Sequence, residues 1–359
     1  MKMEDIAKLA NVSKAAVSLA FSGKPGVAPE TRERILQVAQ EAGYMPKARS
    51  IVSTKMDKSL LFLVCVNSGI VLEEYYQQPF FKELIHFIEV RCRQLGYSLI
   101  FSTMDLEYIE RDIHAIAEEK RSEGMIVLGT NLTRKHIEVI HARLPNVIVL
   151  DTCFETLPVQ FVEINNVMGA YQAGSYLCQI GHSFIGYIAS NIRIHNFEER
   201  SRGFQLALEE WGVQIPESHR LSVAPTILTS QDSLKQQLNE YIQSGKSLPT
   251  AWFCECDYIA ISAMKTMAEL GIRVPEDTSI IGFDNITESV IITPELTTVH
   301  VEKEKMATLA VDLLTGSIEH GNQGKVKMMV DTQLVIRKSC APPTDAAVVG
   351  KGTTKRQPI

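Results

Sequence analysis

Residues 4–21 read EDIAKLANVSKAAVSLAF, and this stretch decides how the start of the chain folds. Ile6, Leu9 and Ala10 recur at i, i+3 and i+4, which is the spacing of one helix face. Asn11 follows, and asparagine tolerates the left-handed conformation in which many helices end. The stretch up to Ala10 therefore predicts a short amphipathic helix that turns Ile6, Leu9 and Ala10 inward.

A second helix is predicted from Lys14 to about Phe21. Ser13 precedes it and can cap it by accepting a hydrogen bond from a backbone N–H of the first turn. Two short helices joined by a turn of three or four residues form a helix-turn-helix, whose second helix enters the major groove of DNA. A lysine there can donate to guanine, and an alanine can pack on a thymine methyl group. The residues of this segment that we expect to contact DNA are Ser13, Lys14, Ala15, Ser18 and Leu19.

A loop and a third helix are predicted next. Residues 22–26 (SGKPG) are rich in turn formers, and the helix runs from Glu30 to Ala42 and ends at Gly43. Residues 1–58 hold ten basic and six acidic side chains (+4), whereas the remainder hold 26 and 36 (−10), for a net charge of −6. A small basic end on an acidic body is typical of a protein that contacts a polyanion, but a generic three-helix cap with a solvated face is the alternative.

Composition excludes several other classes of protein. Of the 359 residues, 45% are hydrophobic and 22% charged, which predicts a large core rather than global disorder. No apolar run reaches the ~18 residues needed to span a bilayer, and the N-terminal segment lacks the apolar run of a signal peptide. We therefore expect a soluble cytoplasmic protein. The seven cysteines are scattered and odd in number, which favours buried thiols; neither a metal site nor a cofactor is predicted.

From Leu60 onward, short apolar runs alternate with amphipathic stretches. The predicted strands are Leu60–Val66, Tyr97–Phe101, Met125–Leu128, Val147–Leu150, Phe184–Ile188, Ala251–Phe253 and Ser279–Phe283. The predicted helices include Phe80–Leu95, Asn166–Ile180, Arg200–Trp211 and Tyr258–Leu270. Such alternation predicts parallel sheets with helices on both faces, and the length favours two doubly wound lobes. Open α/β sheets bind ligands at the carboxyl ends of their strands, so the expected site is a cleft between the lobes.

Spaced groups of residues near the start of the chain form a recognisable signature. They are Asp5-Ile6-Ala7, Ala10-Asn11-Val12-Ser13, Val17-Ser18, Gly23-Lys24-Pro25-Gly26-Val27, Glu30-Thr31-Arg32-Glu33-Arg34-Ile35 and Gly43-Tyr44-x-Pro46. Together they resemble the DNA-binding head of the lactose-repressor (LacI/GalR) family. The resemblance implies a head at residues 1–46 and a hinge at residues 47–58. In that family the hinge folds into a helix on DNA and pushes a leucine into the minor groove.

This chain departs from the family pattern in the head and in the hinge. Ala16 stands where the family usually has Thr, and Leu19 stands where it usually has Arg. Ser53 occupies the position of the leucine, so any wedge between bases would come from Ile51 or Val52. A plain linker is the alternative. The hinge residues expected to contact DNA are Lys47, Arg49, Ile51 and Val52.

The resemblance extends to about residue 340. It is carried by Asn146-Val-Ile-Val-Leu-Asp151, Gly181-His182-x-x-Ile185-Gly186-Tyr187-Ile188, Glu199-Arg200-x-x-Gly203-Phe204, Gly271-Ile272-Arg273-Val274-Pro275-Glu276-Asp277, Ile281-Gly282-Phe283-Asp284 and Pro294-Glu295-Leu296-Thr297-Thr298-Val299. It implies an α/β, two-lobed, periplasmic-binding-protein-like core over residues 59–341. Separately, the prolines, glycines and basic end of residues 342–359 predict a disordered tail. In relatives, the residues matching Arg200 and Asp284 hold a sugar or a nucleobase.

Four further residues are weaker candidates for the effector site. Asp151 follows a strand and is equally well explained as a cap, and Phe80 is equally well explained as core. Asp257 ends a strand where relatives have Asn-Asp, with Cys256 in place of the Asn, and Asn67 follows the first strand. The effector site predicted from sequence is thus Asn67, Phe80, Asp151, Arg200, Asp257 and Asp284.

The function implied by the resemblance is sequence-specific transcription regulation, most simply repression. A homodimer would bind a near-palindromic DNA operator, and a small sugar-like effector between the lobes would control the affinity for that operator. No membrane partner is expected, while a phosphoprotein co-regulator stays open. The alternative is an α/β enzyme or a solute-binding protein that acts on a small carbohydrate.

Overall fold

The computed structural model describes residues 3–21, 26–41, 58–67, 69–119, 121–321 and 324–344. The chain divides into two compact units, Met1–Asp57 and Lys58–Ile359. The described residues of the first unit form three helices: α1 (Met3–Leu9), α2 (Lys14–Phe21) and α3 (Pro29–Glu41). None of the described helices has the length and apolarity needed to cross a bilayer.

Small side chains build the core of the first unit. Its buried residues are Ile6, Ala7, Ala10, Val17, Ala20, Ile35 and Ala39. Asn11 has a φ of 52°, as expected for a residue that ends α1, and the Ala16 N–H donates to Ser13 Oγ at 3.1 Å, which confirms the cap. The prediction for Leu9 is wrong, because its side chain is 60% exposed. Successive residues lie ~100° apart around a helix. Ile6, Ala7 and Ala10 therefore share one face, which is buried, and Leu9 lies to the side of that face.

The second unit alternates strands with helices. The strands are β1 (Ser59–Val66), β2 (Ser98–Asp105), β3 (Gly124–Leu128), β4 (Val147–Leu150), β5 (Gln160–Ile164), β6 (Ile185–Ser190), β7 (Arg220–Val223), β8 (Ala251–Cys254), β9 (Ser279–Asp284), β10 (Thr297–Val301), β11 (Lys327–Val330) and β12 (Thr332–Val335). The helices are α4 (Pro79–Gln94), α5 (Ile109–Glu119), α6 (Arg134–Arg143), α7 (Asn166–Gln179), α8 (His195–Glu210), α9 (Ile227–Gln243), α10 (Asp257–Glu269) and α11 (Lys303–His320).

These strands form two six-stranded sheets whose strands follow one another in the same spatial order. Lobe 1 has the order β2-β1-β3-β4-β5-β11, and lobe 2 has the order β7-β6-β8-β9-β10-β12. Every strand pair is parallel except β10 and β12. Strand β1 shows why the apolar runs form buried strands, since Leu60 and Phe62 enter one core while Leu61 and Leu63 enter the other. The prediction of two doubly wound lobes is confirmed.

The chain passes between the lobes three times. It leaves lobe 1 after β5, returns after β10 to form α11 and β11, and crosses again to β12. Two crossings run side by side, because the Asn165 N–H donates to the Val330 carbonyl at 2.8 Å and Asn165 Nδ2 donates to Asp331 Oδ1 at 2.9 Å. These two bonds hold the crossing segments together where they pass between the lobes.

Candidate functional site

The residues of the first unit that are expected to contact DNA lie just before and along helix α2. Ser13, Lys14 and Ala15 are exposed, while Ser18 and Leu19 are half-buried. The other end of α2 is held by α3, since Arg32 Nη1 donates to the carbonyls of Leu19 and Ala20 at 3.3 and 2.9 Å. The first turn is thus exposed, whereas the last turn is held by α3. The four hinge residues expected to contact DNA, Lys47, Arg49, Ile51 and Val52, lie outside the described residues.

The interlobe cleft is a second concave site. The empty space between its walls is about 440 Å³, and this volume includes solvent at the open mouth of the cleft. Its lining residues come from both lobes: Ile70, Gln78, Phe80, Phe81, Thr130, Asp151, Ile194, Asn196, Phe197, Arg200, Pro225, Cys256, Tyr258 and Asp284. The structure therefore brings together Phe80, Asp151, Arg200 and Asp284, and it places Asn67 and Asp257 elsewhere.

Arg200 organises the lobe 2 side of the cleft. Its guanidinium is buried and stacks 3.8 Å from the centre of the Phe283 ring. Nη2 donates to Asp284 Oδ1 at 2.9 Å, Nε to Asn166 Oδ1 at 2.9 Å, and Nη1 to the carbonyl of Glu255 at 2.6 Å. Burial raises the pKa of Asp284, and the positive charge of Arg200 opposes that shift. The pair can offer a ligand both a hydrogen-bond donor and an acceptor.

Asp151 links the two lobes rather than capping a helix. It has a φ of 64° at the end of β4 and accepts from Thr130 Oγ1 of lobe 1 at 2.5 Å. It also accepts from Asn196 Nδ2 of lobe 2 at 2.9 Å. Burial raises the pKa of Asp151 to about 6. Asp151 lines the cavity, and a carboxylate oxygen can accept more than one hydrogen bond, so it can accept from a hydroxyl or N–H of a ligand.

Phe80 forms the apolar wall of lobe 1 and is fixed by lobe 2. Its backbone N–H donates to the hydroxyl of Tyr258 at 3.2 Å. The ammonium of Lys303 lies 5.6 Å from the Phe80 ring centre and donates to the carbonyl of Asp284 at 3.2 Å. Lys303 also pairs with Glu83 at 3.0 Å. Sequence reasoning missed Lys303, because a lysine that opens a charged helix resembles a solvated helix end.

Asp257 lies behind the cleft and not in its lining. Its carboxylate is fully buried and accepts from Thr298 Oγ1 at 2.6 Å and from the Ile286 N–H at 3.0 Å. Burial, followed by the charge of Asp284, raises the pKa of Asp257 to about 8. These contacts hold the segment after β9 in place. Asn67 is exposed and donates to Asp105 Oδ2 at 2.5 Å, which also places it outside the cleft lining.

The raised pKa of Asp257 predicts a pH-dependent stability. Because the native carboxyl titrates near pH 8 and an unfolded one near 3.8, the native state binds more protons between these values. Stability therefore falls as pH rises through this window. We expect Asp257→Asn to remove this loss of stability with rising pH. The melting temperature of the variant should therefore rise relative to that of the wild type as the pH increases from 5 to 8.

Thermal unfolding at several pH values checks this expectation. The control is Asp277→Asn, because Asp277 is a surface partner of Arg273 with a pKa lowered to about 2, so its titration lies outside the window. The curve of this control should run parallel to that of the wild type. An Asp257→Asn curve that is also parallel would show that Asp257 is ionised in the native state at neutral pH.

Two family models match parts of this chain. Residues 2–47 match the family model described as bacterial regulatory proteins, lacI family, and residues 175–340 match a periplasmic binding protein-like domain. The HTH-type transcriptional repressor PurR of Pasteurella multocida is 31% identical over 341 residues, covering 94% of this chain and 98% of that protein. The repressor of the same name from Haemophilus influenzae strain Rd is 30% identical over 344 residues, with the same coverage.

Solved structures share the fold at lower identity. The transcriptional regulator CelR in complex with cellobiose has a TM-score of 0.69 at 24% identity, covering 94% of this chain and 99% of that one. The lac repressor dimer bound to operator and the anti-inducer ONPF has a TM-score of 0.67 at 22% identity, covering 95% and 99%. A LacI family regulator from Enterococcus faecium with bound ribose has a TM-score of 0.66 at 22% identity, covering 79% and 100%. These three likenesses show the fold alone.

Proposed function

Because this chain belongs to the LacI family of DNA-binding transcriptional repressors, we propose that it binds a near-palindromic operator as a homodimer and that a small sugar-like effector in the interlobe cleft changes its operator affinity. The dimeric state is supported by the dimeric lac repressor among the structures of the same fold. Because operator DNA is in the bacterial cytoplasm, we propose that the protein is cytoplasmic.

One observation carries the effector part of the proposal. The Arg200–Asp284 pair lines one cleft together with Phe80 and Asp151. A guanidinium and two carboxylates can hold neighbouring hydroxyls through paired hydrogen bonds, while an aromatic ring packs on the apolar face of a sugar. Two regulators of the same fold were solved with cellobiose and with ribose, which supports a carbohydrate class of effector.

A thermal-shift screen followed by operator titration tests the effector part. The compounds are D-ribose, cellobiose, glucose 6-phosphate and hypoxanthine. A ligand at a hundred times its Kd stabilises the native state by roughly 2.7 kcal/mol. We expect a carbohydrate to raise the melting temperature and to change operator affinity in fluorescence anisotropy. If hypoxanthine alone does both, the carbohydrate class is wrong; a compound that binds without changing operator affinity argues against the coupling.

Lys14 should contribute to the choice of operator. It is exposed in the first turn of α2, where a lysine can donate to guanine O6 or N7. We expect Lys14→Ala to weaken binding to the selected operator by roughly 1–3 kcal/mol while leaving non-specific DNA binding nearly unchanged. Anisotropy titrations on both DNAs measure this, with exposed Lys8 of α1 replaced by Ala as the control. An equal loss on all DNA, with a salt slope lowered by about one, would identify a phosphate contact instead.

A further inference from the structure

Residues 191–194, between β6 and α8, form a loop that touches both lobes. Ile194 lines the cleft. Ile192 packs against lobe 1, since its Cδ1 lies 3.0 Å from where a Cβ on Gly69 would stand. Directly after the loop, His195 Nε2 lies 3.2 Å from Glu163 Oε2 of lobe 1. The position of this loop therefore affects both the cavity and the contact between the lobes.

A buried carboxylate anchors the loop to lobe 2. Glu255 has no exposed surface, and Arg193 Nη1 donates to its two oxygens at 2.9 and 2.7 Å. The Ser190 N–H, just before the loop, donates to the same carboxylate at 2.6 Å, and the Tyr187 hydroxyl donates at 2.7 Å. Glu255 thus binds Ser190, which directly precedes the loop, and Arg193, which lies within it.

The same residue supports the guanidinium of the cleft. The backbone carbonyl of Glu255 accepts from Arg200 Nη1 at 2.6 Å. Glu255 therefore contacts both the loop that contains Ile194 and Arg200, whose guanidinium lines the cavity. Arg193 continues outward from this point, pairing with Glu198 at 2.9 Å.

Stability alone is a weak reason for such a pair. Taking the Glu255 carboxylate out of water is costly, and its partner Arg193 is 38% exposed, so solvent weakens the attraction that offsets this cost. A Glu–Arg pair contributes geometric specificity instead of stability, because its hydrogen bonds fix both the distance and the orientation of the loop backbone. This favours a role in placing the loop.

We propose that the Arg193–Glu255 ion pair is a positioning pair for the cleft, holding residues 191–194 in the conformation in which Ile194 faces the cavity and Ile192 packs on lobe 1. The consequence for ligand binding rests on the proposed effector function, whereas the placement of the loop does not. Removing the pair should loosen the loop while leaving the sheet of lobe 2 intact.

Amide hydrogen exchange of the unliganded full-length protein tests the placement. Arg193→Met strands the buried carboxylate, so the double variant Arg193→Met with Glu255→Met is measured beside it to keep a folded protein. We expect exchange in residues 190–195 to accelerate by about tenfold or more in both variants, with β8 and α10 unchanged. The matched control is Arg202→Met, which removes an exposed arginine paired with Glu199 on the same lobe. Unchanged exchange in residues 190–195 of the double variant would overturn the proposal.

Ligand binding supplies a second readout with D-ribose and cellobiose as probes. A probe that binds the wild type should bind the double variant about tenfold more weakly and should bind Arg202→Met normally. Equal affinity in the double variant would overturn the positioning role even if exchange rises. A wild type that binds neither probe counts against the proposed carbohydrate effector, and the exchange result then decides the positioning pair by itself.

Discussion

Arg200→Met should abolish the response of operator binding to effector and should lower the free energy of unfolding by roughly 3–5 kcal/mol. The response is lost because Arg200 supplies the guanidinium that faces the cavity. The protein is destabilised because the carboxylate of Asp284, only 6% exposed, loses its partner at 2.9 Å. Asn166 and the Glu255 carbonyl lose a donor as well.

Chemical denaturation and operator titration separate the two effects. The double variant Arg200→Met with Asp284→Asn removes the stranded charge, so it should recover much of the stability but none of the effector response. Operator affinity without effector should stay close to that of the wild type in both variants. An Arg200→Met protein that still responds to ligand at unchanged affinity would exclude Arg200 from the effector site.

Gly203→Ala should destabilise lobe 2 by about 3 kcal/mol or more, at the upper end of the usual cost of overpacking. Gly203 lies one helical turn after Arg200 on α8, and a Cβ there would stand 2.1 Å from the carbonyl oxygen of Val167 on α7. Backbone cannot yield as a flexible side chain can, so the two helices would have to separate. The separation would also pull Arg200 away from Asn166, which lies at the start of α7.

Gly316→Ala is the matched control for this substitution. Gly316 is also inside a helix, α11, but a Cβ there would meet no atom within 4 Å. Alanine is the better helix former by about 1 kcal/mol, so this variant should be slightly more stable than the wild type. Urea denaturation compares the three proteins. A Gly203→Ala variant as stable as the wild type would show that α7 and α8 can move apart at little cost.

The sequence was most informative where a strand is buried on both faces. The predicted strand Leu60–Val66 matches β1 within one residue, because continuous apolar runs are typical of central parallel strands. Strand β5 was not predicted, since its sequence QFVEI places a glutamine and a glutamate beside apolar residues. Strand β7 lies at the edge of its sheet and carries Arg220 and Ser222, so it has no comparable run.

The cleft was only partly predictable, for a physical reason. A residue at the end of a strand can point into the cavity or behind it, and sequence does not separate these cases. Asp284 points into the cavity, whereas Asp257 points behind it to Thr298. Glu255 was not predicted at all, because its partner Arg193 lies 62 residues earlier and no spacing rule connects them.

The three passages of the chain between the lobes have a consequence for synthesis on the ribosome. The sheet of lobe 1 is complete only when β11 pairs with β5. Strand β11 is synthesised after β6 to β10, which belong to lobe 2. At ~5–20 residues per second, this delay is on the order of 10 to 30 s. Until then, the nascent chain exposes the uncovered edge of β5 and the apolar surface that α11 will bury. The helices of the first unit need no such later segment, so the head can fold while most of the protein is still being translated.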